Sequence, residues 1–167
     1  PTVIPFFPIH FDFLSPKKKI ITDKTPLNFL ILGIIKILIP NSKIIYCKRN
    51  SNDNITSLFQ TFFHSYAHEY SYDLNSLKDY YELHNEAIVY WNSQKIDFFT
   101  LSYEKLISNN EENIKKICSF VEIDFSRNML QPHLSKRNVY TASSYQVRQP
   151  INSSSINKWK NYMQYFK

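Results

Sequence analysis

The 167-residue chain contains one glycine, Gly33. A glycine-rich phosphate loop therefore cannot exist within it, because such loops need several glycines for φ > 0 and for close backbone approach. A doubly phosphorylated nucleotide would find only half of its site here. Cysteine is nearly absent too. Cys47 and Cys118 have no Cys or His partner at ligand spacing, so neither a disulfide framework nor a zinc site is expected. Two buried thiols in a reducing compartment are expected instead, and the cytoplasm is the favoured location. The longest apolar run, 29–39, is interrupted by Lys36 and is too short to span a bilayer. No targeting segment is visible in 1–8, and the start at Pro1 suggests that upstream sequence precedes it. Histidines offer one pair at helical spacing, His64 and His68, without a third ligand, so no metal is expected.

What is present is a core-forming composition. The hydrophobic fraction is 43%, with thirteen Phe, twelve Tyr and two Trp, enough for one domain spanning 1–167. The net charge of +6 favours an anionic ligand. Nucleic acid is not expected, since the lysines are scattered apart from the run at 17–19 and no basic stripe interleaves with aromatics.

Periodicity predicts a strand over 20–22, then a helix from Thr25-Pro26 to about Leu38, apolar nearly all round and packed on both sides. A buried parallel strand is predicted over 43–47 and a helix over 53–68. A second helix, capped by Asp73, runs to about Ser93. A strand over 97–102, a short helix from Tyr103 and an amphipathic helix over 111–120 follow. Residues 124–152 read as an ordered loop region, and Ser154 or Ser155 caps a last helix through Trp159 and Tyr162. Strands alternating with helices at crossover spacing predict an α/β fold with a mainly parallel sheet flanked by helices.

Two segments are suited to hold a phosphate. In the first, a strand ends at Arg49 and turns into a helix carrying Ser57. Arginine supplies a planar donor fork, and a strand-to-helix turn adds free N–H groups. In the second, 141–150, Ser143, Ser144, Gln146 and Arg148 form a polar loop. The chain has only four arginines, and two fall in these segments. Lys24 stands at a strand-to-helix turn one crossover before Arg49, which would bring both cations to one rim. Lys158-Trp159 would either cover a nucleotide or anchor the final helix.

Together these pieces resemble the nucleotide-dependent sulfotransferases, in particular the branch of protein-tyrosine sulfotransferases and tetratricopeptide-type bacterial sulfotransferases. The matching stretches are 22–28, 40–49, 101–106, 141–150 and 158–159 (TDKTPLN, PNSKIIYCKR, LSYEKL, TASSYQVRQP and KW), in that order. The resemblance implies the C-terminal portion of a P-loop-like sulfotransferase fold. It implies that Arg49 and Ser57 grip the 3′-phosphate of 3′-phosphoadenosine 5′-phosphosulfate (PAPS), and that Tyr103 contacts the nucleotide. Ser144, Gln146, Val147 and Arg148 would belong to a nucleotide-binding loop, and Lys158 would bind the nucleotide. Lys24 and Ser143 would steady charge in the transition state. The acceptor would carry a hydroxyl on a protein tyrosine, a saccharide or a small molecule.

In-line sulfuryl transfer needs positioning and cations at the departing phosphate, each well-placed donor supplying about 3–4 kcal/mol, and it needs no metal. Departures from the family pattern are the missing 5′-phosphosulfate loop and general base, both expected upstream of Pro1, and Thr61 where some members carry a basic residue. The alternative is a catalytically inactive adenine-nucleotide-binding domain of the same fold.

Overall fold

The computed structural model describes residues 22–63, 66–135 and 145–165. Two parallel strands form its sheet, β1 (Ile45–Lys48) and β2 (Phe99–Ser102). Their register pairs Ile45 with Phe99 and Lys48 with Ser102. The crossover between them carries helix α2 (Ser51–Phe59), a 3₁₀ segment (Tyr66–Tyr72) and the long helix α3 (Leu74–Ser93). Helix α1 (Leu32–Leu38) precedes β1, and α4 (Tyr103–Ser108) and α5 (Asn110–Phe120) follow β2. The described fold is thus α/β with a parallel sheet.

Local chemistry explains most of these elements. Asp73 caps α3 as its carboxylate accepts the N–H of Ser76 at 2.7 Å, and Asn50 caps α2 by accepting the N–H of Asp53. Leu77, Tyr81, His84 and Ile88 recur at helical spacing along α3 and put one stripe against α2 and the 3₁₀ turn Pro26–Leu30. The core holds Phe29, Leu32, Ile55, Leu77, Ile88, Leu101 and Cys118.

Several expectations give way. The helix foreseen over 25–38 breaks at Ile31 (φ −125°), because the indole N–H of Trp91 takes the Phe29 carbonyl at 2.6 Å, an acceptor that a continuous helix would need. Nor is α1 packed on both sides. Ile34, Ile37 and Leu38 remain exposed, Ile37 at 78%.

Helix α2 stops at Phe59, not near His68. The Thr61 hydroxyl bonds the Ser57 carbonyl at 2.7 Å, and Tyr72 OH accepts from the Phe63 N–H, so the chain leaves the helix and turns. His68 therefore lies on a different element, tilted against Phe63 with ring centroids 4.6 Å apart, and His64 lies outside the described residues. Strand β1 is more open than a buried parallel strand, and Cys47 is exposed while Cys118 is buried, because β2 is the partner strand of β1 among the described residues. Of the strand foreseen over 20–22, only Thr22 is described, and it is not in a strand.

Within 124–152 the chain makes short 3₁₀ turns, Arg127–Leu130, Pro132–Leu134 and Gln146–Arg148. The final element, Lys158–Tyr165, is 3₁₀ with a kink at Tyr162 and is not a regular α-helix. Ser154 does not cap it; its N–H and hydroxyl both donate to Asn152 Oδ1.

Candidate functional site

Strand register builds the centre of the site. Since Lys48 lies opposite Ser102, the next residues, Arg49 and Tyr103, emerge together at the carboxyl ends of both strands, where open parallel sheets place ligands. The Arg49 guanidinium stacks over the Tyr103 ring, 4.8 Å from its centroid. One terminal nitrogen, Nη2, donates to the Ser155 carbonyl at 2.7 Å. The Nε donor is buried and has no hydrogen-bond partner among the described residues. A buried guanidinium donor left open in this way costs free energy until an acceptor arrives.

Glu104 organises the same corner. Its Oε1 accepts the Asn50 N–H at 2.8 Å and its Oε2 accepts from the Ser102 hydroxyl at 3.0 Å. Burial alone would raise this carboxyl. The hydrogen bonds from the N–H groups of Asn50 and Glu104 and from Ser102, together with the Arg49 charge, outweigh it and hold the group below the usual carboxylate range.

A strap formed by 153–159 closes one side. Asp53, almost fully buried, accepts the N–H groups of Asn157 (2.7 Å) and Trp159 (3.0 Å), and α2 packs against the Lys158–Tyr165 segment. Ser57, one turn after Asp53, shares its helix side and so flanks the strap, half-buried. Lys158 lies exposed between the two strap donors.

The remaining candidate residues spread more widely. Lys24 is exposed in the turn that Asp23 braces by accepting from Thr25 and Asn28. Pro26, two residues on, shares a cavity wall with Arg49. Gln146, Val147 and Arg148 form a turn packed chiefly on Pro132–Leu134, and the Arg148 guanidinium donates to the Ser135 carbonyl. Ser143 and Ser144 lie outside the described residues. The structure thus brings Arg49, Tyr103, Ser57 and Lys158 to one region and sets the 146–148 turn on a different support.

Beside Arg49 lies a cavity of about 220 Å³ whose wall includes Tyr46, Tyr70, Tyr80, Tyr81 and His84. Burial holds the His84 imidazole below its ordinary range, despite the opposing effect of Asn85, and its Nδ1 is buried without a partner among the described residues. Burial, together with the charge of the Tyr70 phenol and its hydrogen bond, pushes Tyr80 up to about 12, and the two rings stack with centroids 4.0 Å apart. None of these residues was among the sequence candidates. Their signal was the stripe 77, 81, 84, 88 on α3, whose meaning depends on α2 and β1 lying beneath it. Among the described residues, no group of three or more His, Cys, Asp or Glu is placed to hold a metal, and no helix is long and apolar enough to cross a membrane.

Comparison with known proteins adds four findings. A profile described as the sulfotransferase family matches residues 9–127. The chain is 32% identical over 148 residues to an uncharacterized protein of Aquifex aeolicus (strain VF5), covering 87% of this chain and 19% of that protein. It is 25% identical over 151 residues to a Caenorhabditis briggsae protein named "Putative protein-tyrosine sulfotransferase", covering 87% of this chain and 53% of that protein. The chain therefore spans about a fifth and about half of these curated relatives. A solved sulfotransferase domain from the curacin biosynthetic pathway superposes with a TM-score of 0.67 at 20% identity, over 90% of this chain and 58% of that one. This last likeness concerns the fold.

Proposed function

The chain belongs to the sulfotransferase family, and from that premise we propose that it moves a sulfuryl group from PAPS to an acceptor hydroxyl by in-line transfer. In this reading the 167 residues form one sulfotransferase domain. The bond between sulfur and the donor's phosphate oxygen breaks as the bond to the acceptor oxygen forms, 3′-phosphoadenosine 5′-phosphate leaves, and the acceptor's proton passes to a general base that is not among the candidate residues. A hydroxyl on a protein, saccharide or small molecule serves as acceptor, with protein tyrosine the candidate that the C. briggsae relative's name suggests.

The observation that carries the proposal is the Arg49 corner. A guanidinium at the end of a parallel strand is fixed by Tyr103 and Ser155, yet keeps a buried Nε without an acceptor among the described residues. A phosphate oxygen satisfies that donor, and a planar fork suits it better than an ammonium does. Arg49 and Ser57 take the 3′-phosphate, Tyr103 and Lys158 take the nucleotide, and Ser144, Gln146, Val147 and Arg148 form its binding loop. Lys24 and Ser143 stabilise charge on the departing phosphate.

The test is calorimetric. Wild-type protein should bind 3′-phosphoadenosine 5′-phosphate more tightly than adenosine 5′-monophosphate. Arg49→Ala should weaken the first by roughly 10- to 100-fold, the worth of a charge-assisted hydrogen bond, and leave the second nearly unchanged. Equal wild-type affinity for the two nucleotides would refute the 3′-phosphate assignment.

A further inference from the structure

Asp53 is a buried carboxylate, 2% exposed, that pairs with no cation among the described residues and is not part of the wall of the cavity beside Arg49. Both of its oxygens are used. Oδ2 accepts the N–H of Asn157 at 2.7 Å, and Oδ1 accepts the N–H of Trp159 at 3.0 Å. The two donors flank Lys158. Asn157 sits in the left-handed region at φ 60°, and this conformation turns neighbouring N–H groups toward one point. Such a concave nest of N–H groups binds anions; here the anion is the protein's own carboxylate from the first turn of α2.

The first turn of α2 explains why that carboxylate is available. Asn50 is the N-cap and Asp53 is the third helical residue. An acid at this position ordinarily reaches back to the N–H of the cap residue. Glu104 already holds the Asn50 N–H at 2.8 Å, so Asp53 is released to face the strap. The Arg49 bond to the Ser155 carbonyl fastens the same strap two residues before the nest. Consecutive segments of β1–α2, Arg49 and Asp53, thereby grip 155–159 from one side.

We propose that Asp53 is a positioning residue for Lys158: seated in the Asn157–Trp159 nest, its carboxylate fixes the backbone of Lys158 beside the Arg49–Ser57 side of helix α2, so that the lysine's contribution to nucleotide binding depends on Asp53. This rests on the nucleotide reading above. An amide in place of the carboxylate would turn an NH₂ donor toward one of two N–H donors, so Asp53→Asn should break half of the nest with almost no change in volume.

The experiment is a double-variant cycle on the full chain, reading affinity for 3′-phosphoadenosine 5′-phosphate by calorimetry together with amide hydrogen exchange. Asp53→Asn and Lys158→Ala should each weaken binding by about tenfold. The double variant should bind within about twofold of Lys158→Ala alone, since the two act through one contact. Exchange at the Asn157 and Trp159 amides should accelerate in Asp53→Asn while the α3 amides stay protected, which separates release of the strap from unfolding. Asn157→Val, which disfavours φ > 0 without touching α2, should reproduce the Asp53→Asn phenotype, and Asn157→Gly should keep wild-type affinity. Additive losses in the double variant, or unchanged exchange at the two strap amides, would overturn the positioning role while leaving the nucleotide reading intact. A wild-type protein indifferent to the 3′-phosphate would overturn both.

Discussion

The single glycine shows how far a residue's meaning depends on what packs against it. A Cβ built on Gly33 would lie 2.8 Å from Cζ3 and 3.1 Å from Cη2 of Trp91. The indole cannot swing away freely, because its N–H is committed to the Phe29 carbonyl. Gly33→Ala should therefore cost about 1–3 kcal/mol of overpacking, partly offset by about 1 kcal/mol of improved helix propensity. The expected result is a lower urea midpoint at unchanged slope. A midpoint equal to or above wild type would mean that the ring yields and the glycine is dispensable. The sequence displays this glycine plainly but not its cause, since the opposing ring belongs to α3, which follows β1 and α2 in the chain.

At the scale of elements, what is encoded locally is legible and what depends on tertiary contact is not. Helix α3 begins where Asp73 can cap it, and the structure has that cap. Hydrogen bonds from Ser76 hold the Asp73 carboxyl below its ordinary range. Asp73→Ala should lower the melting temperature, and Asp73→Asn, which keeps an acceptor for the Ser76 N–H, should restore most of it. Equal melting temperatures for the alanine variant and wild type would show that the cap adds nothing. The turn into α4 follows the same local rule, with the Ser102 hydroxyl oxygen accepting the Lys105 N–H.

The end of α2 and the break at Ile31 were hidden, because each is decided by a side chain competing for a backbone carbonyl, Thr61 in one case and Trp91 in the other. The candidate site divides in the same manner. Arg49 and Tyr103 were both readable as strand-end residues, and parallel register makes them neighbours. The strap was not readable, because its fastening is a carboxylate and an arginine, each more than a hundred residues away in the chain. The aromatic wall around His84 emerged only when α3 was laid across β1 and α2.

At the scale of the whole molecule, the titratable groups predict a two-step loss of stability in acid. Burial lowers the His84 pKa below its ordinary 6.5, so the unfolded chain takes up that proton before the folded one. Its contribution is complete above about 6.5 and shrinks as pH falls through the folded value. Phe29, Tyr46 and Tyr81 surround the ring. Among the groups that face it, the tyrosines Tyr46 and Tyr81 are raised above their ordinary value and stay neutral throughout. The carboxylates act lower. Asp73, Glu104, Glu111, Glu112 and Glu122 are all held below their ordinary values of 3.8 for Asp and 4.5 for Glu. Their stabilisation is present above those values and is lost as pH falls through the folded ones. Three of them, Glu111, Glu112 and Glu122, pair with exposed Lys115, Lys116 and Lys43, so salt should weaken that part of the lower step. The His84 step lies in an aromatic surround and should resist salt. Thermal unfolding followed from pH 8 to 3 should then show a first decline beginning near 6.5 and a steeper one below 4.5. His84→Phe should abolish the first and leave the second. A His84→Phe profile that still declines between 6.5 and 4.5 would assign the upper step to another group and remove the buried neutral imidazole from the account.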